Sequence, residues 1–262
     1  MSAPRPDWGK ASRFYLPNED AAVLRDALGR LGDRARRPVF VGGSGMALLE
    51  AAGALPELES ATFVDVAPFQ VAYFRRLLDA VRVAGTPREL RDWFAAAVHP
   101  ELRAHYLARG RDYPLPRVFD ALENMFGIAF FFEAAALARA KAAAGRAEVV
   151  QGDVAAHLAG TAGHDWIALS NVPDYLDAAG LAGLFAACRR HEAPVYLLLT
   201  SACPDRDAAR RAWERAGFAA HPDAAALDAR NRALGSPTLR APWNRPGTIH
   251  LLVPDAPRSA TP

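Results

Sequence analysis

The chain has 262 residues, 51% hydrophobic and 23% charged, with a formal net charge of +2. That length and balance suit one globular domain with a sizeable core and exclude a disordered or fibrous chain. Its 31 basic and 29 acidic residues are interspersed, without the basic field or basic-aromatic stripe of a nucleic-acid binder.

In chain order, residues 1–36 read as an N-terminal helical segment or lid ahead of an α/β domain over 37–262. Pro38 to Val41 is a short apolar strand, followed by Gly42-Gly43-Ser44-Gly45 and a helical run from Met46 to Ala54. Ala61 to Val66 is a second strand, and Phe69 to Val83 carries apolar residues at helical spacing. Thr86 to Ala144 is far longer than one crossover needs. Rich in helix formers and aromatics, it predicts a helical insertion or cap over about residues 86–144. Glu148 to Val150, Trp166 to Leu169 and Pro194 to Leu199 are three further strands. Asp207 to Ala216 is helical and stops at Gly217; Asp223 to Pro246, with Pro237, Pro242 and Pro246, predicts a loop-rich excursion before a last strand, Thr248 to Val253. Strands alternating with helices predict an α/β fold with a doubly wound sheet and a helical insertion between strands two and three.

In such sheets ligands bind beyond the carboxyl ends of the strands, where strand order reverses. Four loops qualify. The run Gly42, Gly43, Ser44, Gly45 lets backbone approach a ligand before a helix N-terminus, although a tight turn alone also wants glycines. No Gly-Lys-Ser/Thr follows, which excludes a P-loop. Asp65, followed by Val66, ends strand two about 20 residues on, where a carboxylate can take both hydroxyls of a ribose or cap a helix. Gln151-Gly152-Asp153-Val154 places an acid near an adenine amino group, and Ser170-Asn171-Val172-Pro173-Asp174-Tyr175 puts a polar cluster and an aromatic after strand four.

At these residues the chain resembles the class I methyltransferase fold, a Rossmann-like sheet whose glycine loop, acidic strand-two end, Gly-Asp strand-three end and strand-four loop hold S-adenosylmethionine. A nicotinamide dehydrogenase fits less well, since Ala47-Leu48 stand where its third glycine belongs. A narrower likeness lies in Phe14 to Asp20, Asp65 to Gln70 and Leu169 to Leu176, which look like the betaine-lipid synthase family. Those enzymes transfer the 3-amino-3-carboxypropyl group. The likeness implies that chemistry, but this chain is short for the family and shows no lipid-binding surface.

An aminocarboxypropyl enzyme must pin the amino-acid end of the cofactor. Tyr15, Glu19, Asn124, Asn171, Tyr175 and Ser201 are candidates, with Tyr175, Asn124 and Ser201 closest to the chemistry; Gly42 to Gly45, Asp65, Val66, Asp153, Val154, Ser170 and Asn171 would hold the cofactor. Asn124 lies in an apolar helical run, where it either needs a buried partner or faces water. The acceptor is a small molecule, or there is none: the cofactor's own amine can close a four-membered ring, as in azetidine-2-carboxylate synthases. Methyl transfer to a small molecule and a non-catalytic binding relative stay open.

Other chemistries find little support. Cys188, Cys203 and the seven histidines show no zinc spacing, and Ser44 lacks a hydrolase elbow because position 46 is Met. Few cysteines, no signal-like run in Met1 to Lys10 and no stretch of roughly 20 apolar residues predict a soluble, cytoplasmic protein without integral membrane contact.

Overall fold

The computed structural model describes residues 15–17, 20–30, 35–41, 43–200, 203–234 and 247–255. In chain order it builds α1 (Ala21–Arg30), β1 (Pro38–Val41), α2 (Met46–Gly53), β2 (Ala61–Asp65) and α3 (Pro68–Val83). The insertion follows as α4 (Pro87–Ala97), α5 (His99–Leu107), α6 (Leu115–Asp120), a π turn (Ala121–Met125), a 3-10 turn (Ala129–Phe131) and α7 (Ala134–Ala144). The sheet then resumes with β3 (Ala147–Gln151), α8 (Val154–Gly160), β4 (Trp166–Ser170), a 3-10 turn (Val172–Tyr175), α9 (Ala178–Arg189) and β5 (Val195–Leu199). It ends with α10 (Arg206–Arg215), β6 (Phe218–Ala220), α11 (Ala224–Leu234) and β7 (Thr248–Pro254).

The seven strands lie in the order β3-β2-β1-β4-β5-β7-β6. β1 to β5 run parallel, while β7 is antiparallel to both β5 and β6. β1 sits between β2 and β4, so the direction of winding reverses there and opens a crevice beyond the carboxyl ends of β1 and β4. This is the doubly wound, Rossmann-like α/β fold, with the insertion between β2 and β3.

Alternation along each strand divides the core in two. Phe40, Phe63, Trp166, Tyr196 and Leu198 face α1, α2, α3, α7 and α11, whereas Val39, Val64, Ile167, Leu169 and Leu197 face α8, α9 and α10. Both faces are covered, which explains the nearly continuous apolar runs in the central strands. Cys188 lies in the second core, where burial pushes its thiol up to about 12.

The insertion packs on the first face as an extension of the core. Thr86 caps α4 by accepting from Glu89 N (3.2 Å), and Glu89 returns the bond by accepting from Gly85 N (2.7 Å). Phe94, Phe130 and Phe131 are fully buried, with Phe94 and Phe131 edge to face at 5.5 Å. These aromatics, which could have lined a pocket, are core residues instead.

Glu50 fastens the insertion to α2. It is 5% exposed, and its carboxylate accepts from Arg25 Nη1 of α1 (3.2 Å) and from the backbone of Phe130 (3.1 Å). Removing it strands a guanidinium and an amide, so Glu50→Ala is expected to lower unfolding free energy in urea by about 3 kcal/mol, and Glu50→Gln by less. Burial raises this carboxyl above its ordinary 4.5, with Phe130 and Arg25 opposing. The folded state therefore holds the proton more tightly. Its contribution to stability is full below 4.5 and is lost as pH rises through the raised value, a dependence that Glu50→Gln should lack.

The C-terminal region differs from the loop expected over Asp223 to Pro246, because its described part contains α11. Leu227 is fully buried, the Asp228 carboxylate accepts from Ile249 N of β7 (3.0 Å), and Arg30 pairs with Asp223 at 2.8 Å. These tertiary contacts and the alanine-rich sequence favour the helix, which ends before the first of the prolines; Pro237, Pro242 and Pro246 lie outside the described residues. β6 was also not foreseen: three residues are too short to show a period. No described helix is long and apolar enough to cross a membrane.

Candidate functional site

Beyond the carboxyl end of β1 the backbone enters left-handed conformations at Gly43 (φ 49°) and Gly45 (φ 72°) before α2 begins. Asp65, at the end of β2, organises this turn. Its carboxylate accepts from Gly43 N (3.1 Å) and Ala67 N (2.8 Å), and its backbone carbonyl accepts from Gly152 N (3.0 Å). Gln70, in the first turn of α3, donates its amide to the Gly43 carbonyl. The loops after β1, β2 and β3 thus converge on one residue.

Burial raises the Asp65 carboxyl, and the Ala67 and Gly43 amides pull it back down. Two accepted bonds leave lone pairs on a carboxylate for further donors. A Cβ built on Gly43 or on Gly152 would meet no heavy atom within 4 Å, so both backbones open onto free space. Val66 is half exposed beside them, whereas the Ser44 side chain is buried. Asp153 is exposed and caps α8 by accepting from Ala156 N (2.9 Å). The Val154 side chain belongs to the second core, which leaves only its backbone at the loop.

The fourth loop, after β4, is strained. The β4–β5 register shifts between Ala168 and Ser170, and Ser170 takes φ 51°, a non-glycine left-handed conformation that costs on the order of 1–2 kcal/mol. Asn171 donates its amide to the Tyr175 hydroxyl (3.0 Å), and the Tyr175 side chain is 40% exposed. Burial raises the Tyr175 phenol, an effect opposed by the Asn171 bond.

Other expected site residues lie elsewhere. Tyr15 is fully buried and packs edge-on against Phe69 (5.4 Å), Tyr73 (5.8 Å) and His105 (5.6 Å), while its carbonyl accepts from Tyr73 (3.2 Å). Its ring thus packs against both α3 and the insertion. Asn124 is exposed on the π turn and donates to Asp120 (2.9 Å), because the turn directs Leu122 and Phe126 inward and the amide outward. Gly42, Glu19 and Ser201 lie outside the described residues. Gln70 and Asp174 were not singled out by sequence reasoning, although both are almost wholly buried polar residues, Gln70 in the first turn of the helix after Asp65 and Asp174 in the loop already marked after strand four. Among the described residues no group of three His, Cys, Asp or Glu could hold a metal ion.

No protein-family profile and no curated protein sequence matches this chain. Similar solved structures include a TehB-like SAM-dependent methyltransferase from Corynebacterium glutamicum, 11% identical over 89% of this chain and 88% of that one (TM-score 0.45). The methyltransferase domain of bacterial CtHen1-C is 12% identical over 91% and 98% (TM-score 0.47). MtNAS, in complex with MTA and tNA, is 12% identical over 90% of this chain and 60% of that one (TM-score 0.41).

Proposed function

We propose that this chain binds S-adenosylmethionine in the crevice between the carboxyl ends of β1 and β4 and acts as a transferase on it. The observation that carries the reading is the convergence of the glycine turn and the Gly152 loop on Asp65. Backbone at Gly43 to Gly45 would receive the methionine portion, and Asp65 the ribose hydroxyls. Val66 and Asp153 would flank the adenine. The open space at Gly43 and Gly152 fits a ligand laid against the backbone.

When bound, the cofactor supplies a sulfonium that makes three attached carbons electrophilic. The protein selects among them by alignment with a nucleophile, so no strong base is obligatory. The bonded pair Asn171–Tyr175 supplies the polar groups of the strand-four loop. With the likeness of Asp65 to Gln70 and Leu169 to Leu176 to the betaine-lipid synthases, it supports attack at the 3-amino-3-carboxypropyl group. The acceptor is a small molecule or the cofactor's own amine; no nucleic acid or membrane partner is proposed.

The test is to incubate purified protein with S-adenosylmethionine, alone and with a panel of small amines and thiols, and to identify the nucleoside released. The expected product is 5′-methylthioadenosine. S-adenosylhomocysteine would assign methyl transfer instead, and absence of binding by calorimetry would overturn the cofactor assignment.

A further inference from the structure

Asp174 is a buried carboxylate that this reading leaves without a role. Its residue is only 4% exposed, and it roots the 3-10 turn Val172–Tyr175. Both carboxylate oxygens accept from Thr200 N (3.1 and 3.2 Å), and one also accepts from the Thr200 hydroxyl. Thr200 is the first residue after β5, the strand that pairs parallel with β4. One side chain therefore ties together the loops that leave two adjacent strands at the ligand end of the sheet.

The turn has two sides. Asp174 forms its inner side, and its own amide donates to the Asn171 carbonyl (3.0 Å). The outer side is the Asn171 amide donating to the hydroxyl of half-exposed Tyr175. Upstream stands Ser170 in its left-handed conformation, which persists only if neighbouring contacts over-determine it.

We propose that Asp174 is a positioning residue: by anchoring the turn after β4 to Thr200, it aims Asn171 and Tyr175 at the reacting end of the cofactor, setting turnover more than cofactor affinity. The inference rests on the cofactor assignment above. The ionised carboxylate accepts from the Thr200 amide and the Thr200 hydroxyl at once. Protonation leaves one oxygen accepting from the amide and turns the hydroxyl round into an acceptor, which loosens the anchor. The groups facing Asp174 are Arg206 of α10, whose guanidinium also donates to the Thr200 carbonyl (3.0 Å), the Cys203 thiol and the Tyr175 phenol. Burial raises the Asp174 carboxyl above its ordinary 3.8, against the pull of Thr200 and Arg206, so turnover should fall on the acid side at a pH above that value.

The variants Asp174→Asn, Thr200→Val and Thr200→Ser separate positioning from bulk stability. For each, calorimetry with S-adenosylmethionine, kcat and KM for nucleoside release, a kcat–pH profile and a melting curve are measured. The expected result is a Kd within about twofold of wild type and a kcat about 10- to 100-fold lower for Asp174→Asn and Thr200→Val. Thr200→Ser should recover most of the turnover, and Asp174→Asn should lack the acid limb. A wild-type kcat and an unmoved acid limb in Asp174→Asn would overturn the proposal, as would a lower melting temperature with unchanged kcat per folded molecule. If wild-type protein does not bind S-adenosylmethionine, the cofactor assignment fails first and this inference falls with it.

Discussion

Gly45→Ala is expected to melt about 6 °C below wild type and to lose S-adenosylmethionine binding. A Cβ at position 45 would lie 2.0 Å from Phe74 Cδ2 and 2.1 Å from Cε2. Phe74 cannot swing aside, because it is 1% exposed and packs against Phe63 with ring centroids 4.4 Å apart. Forcing a methyl group into such a core costs roughly 1–3 kcal/mol, and φ 72° adds about 1–2 kcal/mol for any residue with a Cβ. The sum, about 3 kcal/mol, corresponds to about 6 °C in a domain of this size. Gly43→Ala is the control. Its φ is 49° but its Cβ meets nothing within 4 Å, so it bears only the backbone cost. Equal melting temperatures for the two variants in differential scanning calorimetry would refute the close-packing argument.

Asp65→Ala should weaken cofactor binding by about 100-fold, equivalent to about 2.7 kcal/mol, while the protein stays folded. The substitution removes the acceptor for Gly43 N and Ala67 N as well as the proposed ribose ligand, so the glycine turn loses its brace together with a direct contact. Asp65→Asn keeps the shape but presents an NH2 group to a site built for donors, and should fall between wild type and alanine. The charged carboxylate is the binding form. Since burial raises its pKa above the ordinary 3.8, affinity should decline as pH falls through that raised value, and the asparagine variant should show no such decline. Calorimetric titration across pH checks both statements; an Asp65→Ala affinity within threefold of wild type would remove Asp65 from the ligand site.

Strands β1, β2, β4 and β5 were legible because both sheet faces are covered, which writes them as nearly continuous apolar runs such as Val195-Tyr196-Leu197-Leu198-Leu199. The glycine turn and Asp65 were legible from spacing. Harder cases turn on contacts between distant parts of the chain. α11 is held by Leu227 entering the core and by Asp228 reaching Ile249, and the core and Ile249 both lie outside a local window over 223–246. For Asn124, helical periodicity tells which residues share a face but not which face meets the core, and the π turn shifts that face by a fraction of a turn. The surroundings of Tyr15 come from Phe69, Tyr73 and His105, more than 50 positions along the chain, which no local reading of residues 14–20 contains. Asp174 was visible only as one polar letter in a loop, since the anchor depends on Thr200, 26 positions away.

Helix α3 has a second consequence, at the margin of the sheet. β3 is an edge strand, paired on one side with β2, and unpaired backbone at such an edge can recruit a strand from another molecule. The Arg146 carbonyl and the Gly152 amide both bond toward β2, so in the alternation of a parallel ladder the Val149 carbonyl points outward. Arg75, one and a half turns along α3 from the Gln70 that braces the glycine turn, donates to that carbonyl at 3.0 Å. A cationic cap on a five-residue edge discourages strand-to-strand aggregation. The helix that braces the glycine turn thus also helps keep neighbouring molecules apart, joining the integrity of that turn to the colloidal behaviour of the protein.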